Sequence, residues 1–309
     1  MSEGKYDQAS AQARTRARAQ APVQEVFHQG ETVHSFVSLN GLKFRESRDS
    51  ANHPNSIALA ILMDVTGSMG TIPEDLVKRT LPKFMKLVLP YEPDAQLLCG
   101  GFKDYSDQAS DTACQIGQWE CDDALIDKCL TSLSLGGGNR PHEDSAIALY
   151  VMARHTQIDC WEKRGKKGYI FLPTDDTMRP MVQARTVNAL FGRRVLEKDL
   201  STAEMIRELT ERYHVFVFIP DPGRVGYDGR GTGVFDCYRE YFGRNVIVLG
   251  ASVDTAIVAA MLVALTEGHL PNLDAVDVEL EMHMKMAKGE RDRILKALEP
   301  YVDACNNVA

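Results

Sequence analysis

Several things are missing from this sequence. No apolar stretch is longer than the ten residues Ala256 to Leu265, too short to cross a bilayer, and residues 1–22 contain no apolar core of a secretory leader. Its seven cysteines include no C-x-x-C pair. Together these read as a cytoplasmic chain with reduced, free thiols. Basic residues are not in excess: 35 Lys and Arg stand against 43 Asp and Glu, a net charge of −8. That excludes a general nucleic-acid binder, which needs a basic footprint for phosphates. No P-loop is present, because neither GGGNRPHED nor GYDGRGTGVF supplies its Lys. Cys114, Cys121 and Cys129 are spaced by seven and eight, which is not a zinc pattern. Ser145 falls in a helical stretch, not on a strand-to-helix elbow, so no nucleophilic serine is evident.

What is present is enough apolar sequence, 44%, for a real core. Residues 1–22 are rich in Ala, Gln and Arg and read as a disordered tail, with Arg14, Arg16 and Arg18 as a solvated basic arm. Residues 23–55 form an extension in which Asn40-Gly41 predicts a hairpin turn. From Ser56 onward continuous apolar runs alternate with helical patterns. IALAILMD, AQLLCGGF, GYIFLP, HVFVFIP and NVIVLG are strands, and TACQIGQWE is a more polar strand at an edge. Thr71-x-x-Glu74 and Ser201-x-x-Glu204 open helices as capping boxes, and Pro82 should kink the first. The run from Asp254 to Leu265 is a buried helix. This order predicts an α/β fold, a doubly wound, mostly parallel, Rossmann-like sheet over residues 56–267. Residues 268–309 read as a helical tail interrupted at Gly289 and separable from the domain.

In such sheets ligands bind beyond the carboxyl ends of the strands. The first strand ends there in Asp64-Val65-Thr66-Gly67-Ser68, which gathers one carboxylate and two hydroxyls. Hard oxygen donors of this kind suit Mg²⁺. GYIFLP runs into Thr174-Asp175-Asp176, which puts further carboxylates at a second strand end. The third residue of that first motif, counted from Asp64, is Thr66 and not a second Asp, so a phosphotransferase of the haloacid dehalogenase type lacks its acid/base.

DVTGSM after an apolar strand resembles the metal-ion-dependent adhesion site of von Willebrand factor A (VWA) domains, D-x-[ST]-x-S. GGGNRPHEDSAIAL is similar to a loop of intracellular and bacterial VWA proteins, LPTDD to the family's third element, and GGFKDYSDQ to a segment of VWA domains attached to α-kinases. The resemblance spans about residues 56–267. It implies that Asp64, Thr66, Ser68 and Asp175 bind Mg²⁺ or Mn²⁺. Asn139 would be a ligand where related loops carry Asp, and Asp176 is either a further ligand or a turn cap. His142 interrupts the usual Pro-Glu step. The implied function is binding of a protein partner that presents Asp or Glu to the metal, with no catalytic residue and no enzyme activity, and with neither nucleic acid nor membrane as partner. Two alternatives stay open. One is an adaptor or co-chaperone for a separate AAA+ ATPase, the other a structural or assembly protein.

Overall fold

The computed structural model describes residues 3–30, 32–67, 69, 71–105, 111–136, 144–220 and 233–306. In chain order its elements begin with α1 (Gln8–Arg18), α2 (Val23–Val26), β1 (Arg45–Ser47), β2 (Ile57–Asp64), α3 (Thr71–Asp75) and α4 (Leu81–Val88). β3 (Ala95–Phe102), β4 (Cys114–Ile116), α5 (Asp123–Thr131), α6 (Ser145–Arg154), β5 (Thr156–Ile158) and α7 (Asp159–Arg164) follow. Then come β6 (Gly168–Pro173), β7 (Met181–Val182), α8 (Ala184–Phe191), β8 (Leu200–Ser201), α9 (Thr202–Arg212) and β9 (Tyr213–Ile219). The chain closes with α10 (Val234–Phe242), β10 (Val246–Val248), α11 (Thr255–Thr266), α12 (Leu273–Met282) and α13 (Lys288–Asn306).

The chain is mixed α/β with a mostly parallel central sheet. Six strands lie in the order β10-β9-β6-β2-β3-β4, and only the edge strand β4 runs antiparallel. All eight residues of β2 are buried, because both faces of the sheet are covered. Leu59, Ile61 and Met63 join one core, with Phe84, Phe171, Phe216 and the apolar helix α11. Ala58, Ala60 and Leu62 join the other, with Tyr150, Ile170 and Val215. The alternation follows from the two-residue period of a strand. From β2 the chain goes to β3 on one side and later returns to β6 on the other. The crevice between the carboxyl ends of β2 and β6 is therefore a topological switch point. Trp119 is buried beside β4, and its indole N–H donates to the Leu59 carbonyl at 3.1 Å.

Pro82 acts differently from a simple kink. Between α3 and α4, residues Leu76–Thr80 form a π-helical stretch, and the Leu81 N–H reaches back to Leu76. Pro82 then sits at the start of α4, where its missing N–H costs little. Ser201 likewise flanks α9 but makes no side-chain cap hydrogen bond.

Two expectations for the ends of the chain need correction. The segment expected to be a disordered tail over 1–22 holds a helix, Gln8–Arg18, capped by Asp7, whose carboxylate accepts from the Ala9 and Ser10 N–H groups. Arg14 pairs with Asp123, and Arg18 makes a two-pronged contact with Asp127 at 2.6 and 2.7 Å. A helix with one buried residue, Ala11, has little apolar signal to read, and its order comes from partners over a hundred residues away. Nor is there a hairpin at 32–46. Gly41 does take a positive φ of 71° in a turn, but β1 pairs in parallel with β5, from Arg45↔Thr156 to Ser47↔Ile158. Turn chemistry was legible there, and the strand partner was not.

The C-terminal helices belong to the core. Val276, Leu280, Ile294 and Leu298 are fully buried in the cluster that holds α11. Tyr301 packs edge-on against Phe216, and Arg293 grips Asp254 at 2.6 and 2.9 Å. The break between the helices is at Lys285, with φ 53°, and Gly289 lies inside α13. Among the described residues no helix is long and apolar enough to cross a membrane. Among the described residues six cysteines are free, five of them buried.

Candidate functional site

β2 delivers Asp64 to the switch point. The pairing with β3 continues one residue further, through the Val65 N–H and the Phe102 carbonyl at 3.0 Å. The Val65 carbonyl takes the Gly136 N–H at 2.8 Å, so the chain before α6 is hooked onto the same strand end. Asp64 is buried. Its Oδ1 accepts two hydrogen bonds from Thr66, the backbone N–H at 2.9 Å and the hydroxyl at 2.6 Å. Its Oδ2 is buried with no hydrogen-bond partner among the described residues. Leaving a buried carboxylate oxygen unpaired is costly. Burial pushes the Asp64 carboxyl up to about 7, against the two Thr66 bonds, and the charges of Asp175 and Asp176 push the same way.

Those two acids follow β6. The Thr174 N–H donates to the Phe218 carbonyl at 3.0 Å, which fixes the start of the turn on β9. Asp175 is buried. Asp176 caps the turn, its Oδ1 accepting the Thr177 N–H at 2.6 Å. The structure thus bonds Thr66 to Asp64 and sets Asp175 and Asp176 near enough to act on its charge. Ser68 and Asn139, and His142 with them, lie outside the described residues. Among the described residues no group of three or more His, Cys, Asp or Glu side chains could hold a metal ion.

Sequence reasoning missed Tyr238 on α10. Its hydroxyl is 3.0 Å from the Ser145 hydroxyl, at the first residue of α6, and also bonds Thr174. Burial holds this phenol neutral well above its ordinary range, with a further push from the Asp64 charge. Tyr238 therefore ties the ends of β6 and α6 together close to Asp64. No spacing in the sequence linked position 238 to position 64.

A second polar group at the same end of the sheet also went unread. Arg179 bridges Asp104, after β3, at 2.7 Å and Asp144, before α6, at 2.8 Å. Asp144 also accepts the Tyr105 N–H at 2.9 Å. Burial raises the Asp144 carboxyl, while that N–H and Arg179 hold it down. One Arg gripping two buried acids from two other segments forms a brace across this end of the sheet.

No protein-family model matches the chain, and no curated protein does. Among solved structures it is similar to the pilus adhesin SpaC from Lactobacillus rhamnosus GG in its open conformation, at 11% identity and a TM-score of 0.45, covering 72% of this chain and 30% of that one. It is also similar to proximal thread matrix protein 1 from the mussel byssus, at 13% identity and a TM-score of 0.40, covering 74% and 47%. The chain thus spans less than half the length of either.

Proposed function

We propose that the carboxyl end of the sheet holds a divalent cation, Mg²⁺ or Mn²⁺, and that the chain is a metal-dependent protein-binding module with a VWA-type fold. The observation that carries this is the Asp64 carboxylate, buried with one oxygen unpaired among the described residues and with Asp175 and Asp176 repelling it. A cation answers both costs at once, and hydroxyl and carboxylate oxygens are the donors that Mg²⁺ takes. Asp64, Thr66 and Asp175 would hold it, together with Ser68 and Asn139, while Asp176 keeps to its turn. A bound Mg²⁺ supplies a position that an Asp or Glu of a partner can fill. Tyr238 and the Arg179 brace hold the strand ends and helix starts around that position, and no group in this reading transfers a proton or an acyl group.

Calorimetric titration of Mg²⁺ and Mn²⁺ tests it. Asp64→Ala should abolish binding, and Ser68→Ala should weaken it less, since water can replace a hydroxyl. Equal affinity in wild type and Asp64→Ala would refute the metal site. A second test uses the metal-free chain in chelator. A carboxyl raised in the folded state binds its proton more tightly folded than unfolded, so stability falls as pH rises from about 4, the ordinary Asp value, towards 7. Wild type should therefore melt lower at pH 8 than at pH 5, and Asp64→Asn should lose much of that slope. Identical slopes would show that Asp64 is ionised at no cost.

A further inference from the structure

Helix α1 has two working faces. Arg14 and Arg18 turn to the acids of α5, as described. Arg16, between them, turns the other way, onto a cavity of about 350 Å³ between α1 and α4. Lys78, Arg79, Lys83 and Lys86 line the same cavity, and among the described residues no carboxylate does. Five cations converge there on a chain whose net charge is −8.

Two of the five are answered locally: Lys78 pairs with Glu74 and Arg79 with Asp75. Lys86 donates to the His283 carbonyl, which carries no charge. Arg16, Lys83 and Lys86 have no carboxylate partner among the described residues. Arg79, Lys83 and Lys86 follow at spacings of four and three, so they share a helical face. Arg16 is brought onto that face from far away in sequence. Gln8 donates to the Pro82 carbonyl at 2.9 Å, and Thr15 to the Val77 carbonyl, in the π-helical stretch, at 3.3 Å. These bonds hold α1 in place despite like charges facing each other across the gap, a repulsion that a bound anion would relieve. Gln12 adds an uncharged donor to the wall, and Pro82 and Met284 an apolar floor.

We propose that this cavity binds a small, free polyphosphorylated molecule. Arg16 on one helix and Lys83 and Lys86 on the other offer several charges without a carboxylate partner among the described residues, which suits a short chain or ring of phosphates that spreads its own charge over several groups through charge-assisted hydrogen bonds. The groove is open to solvent, and its volume of about 350 Å³ matches a small molecule of that kind. The site is separate from the carboxyl end of the sheet and requires no metal.

The test is calorimetric titration of the full chain with inorganic tripolyphosphate in low-salt buffer containing chelator. Saturable one-to-one binding is expected, weakening as salt rises. Arg16→Glu and Lys83→Glu should each weaken it by about tenfold or more, the size of a lost charged hydrogen bond. Arg207→Glu, an exposed change on α9, should leave it unchanged. The two test variants lie on different helices, and their melting curves are recorded alongside, so loss of α1 packing cannot mimic loss of the site. No saturable binding, or equal weakening by Arg207→Glu, would overturn the proposal. Binding only to vesicles that carry a phosphoinositide, with none to tripolyphosphate, would overturn it too.

Discussion

The two ends of the chain are fastened to the rest of the molecule by opposite means. α1 buries a single alanine and is held by Arg14, Arg18, Gln8 and Thr15. α12 and α13 bury Val276, Leu280, Ile294 and Leu298 completely, in the core shared with Phe84 and Phe216. The first attachment is made of directional bonds that water and salt can compete for. The second is made of apolar area, which water does not replace. Being terminal says nothing about being dispensable. The chemistry of the contact decides it.

The sharpest way to break this contrast is truncation. Deleting 271–309 should abolish cooperative thermal unfolding, because it strips the cover from α11 and from the Phe216 side of the sheet. A truncated chain that still melts cooperatively would show that the helices only rest on a finished domain. Next in size, Leu298→Ala should cost about 2–5 kcal/mol, the range for a large-to-small change in a packed core. Denaturant unfolding reads it, and a loss under about 1 kcal/mol would mean that the seam is loose. The smallest effect is expected at the other end. Arg14→Ala with Arg18→Ala should cost about 0.5–1 kcal/mol per pair, since both arginines are partly exposed, and that cost should shrink at high salt. A salt-independent loss would place the weight of the α1 contact on packing rather than charge.

The same contrast explains what the sequence made legible. The strands of the central sheet were readable because burial on both faces demands continuous apolar runs, as in Ile57–Asp64 and Gly168–Pro173. α11 was readable for the same reason. Leu280 with Met284, and Ile294 with Leu298, gave the C-terminal helices their pattern, but the pattern could not say what they cover. α1 was unreadable, because ion pairs to Asp123 and Asp127 leave no periodicity. The two-residue strands β7 and β8 and the helices α8 and α10 were also missed, and Tyr238 was lost with α10. At the switch point, Asp64, Thr66, Asp175 and Asp176 could be placed together because strand ends in such sheets converge. Arg179 could not, since it lies in a loop and its partners come from two other segments.

Trp119 gives the molecule an optical consequence. The chain has two tryptophans: Trp161 is half-buried on α7, and Trp119 is sealed in the core with its N–H on the Leu59 carbonyl. An indole so enclosed emits at shorter wavelength than one in water and is shielded from dissolved quenchers. The native protein should therefore show a two-component emission. Its blue, unquenchable part reports on the far side of the sheet from α12 and α13, so the opening of one core can be followed by light while the other is dismantled by mutation.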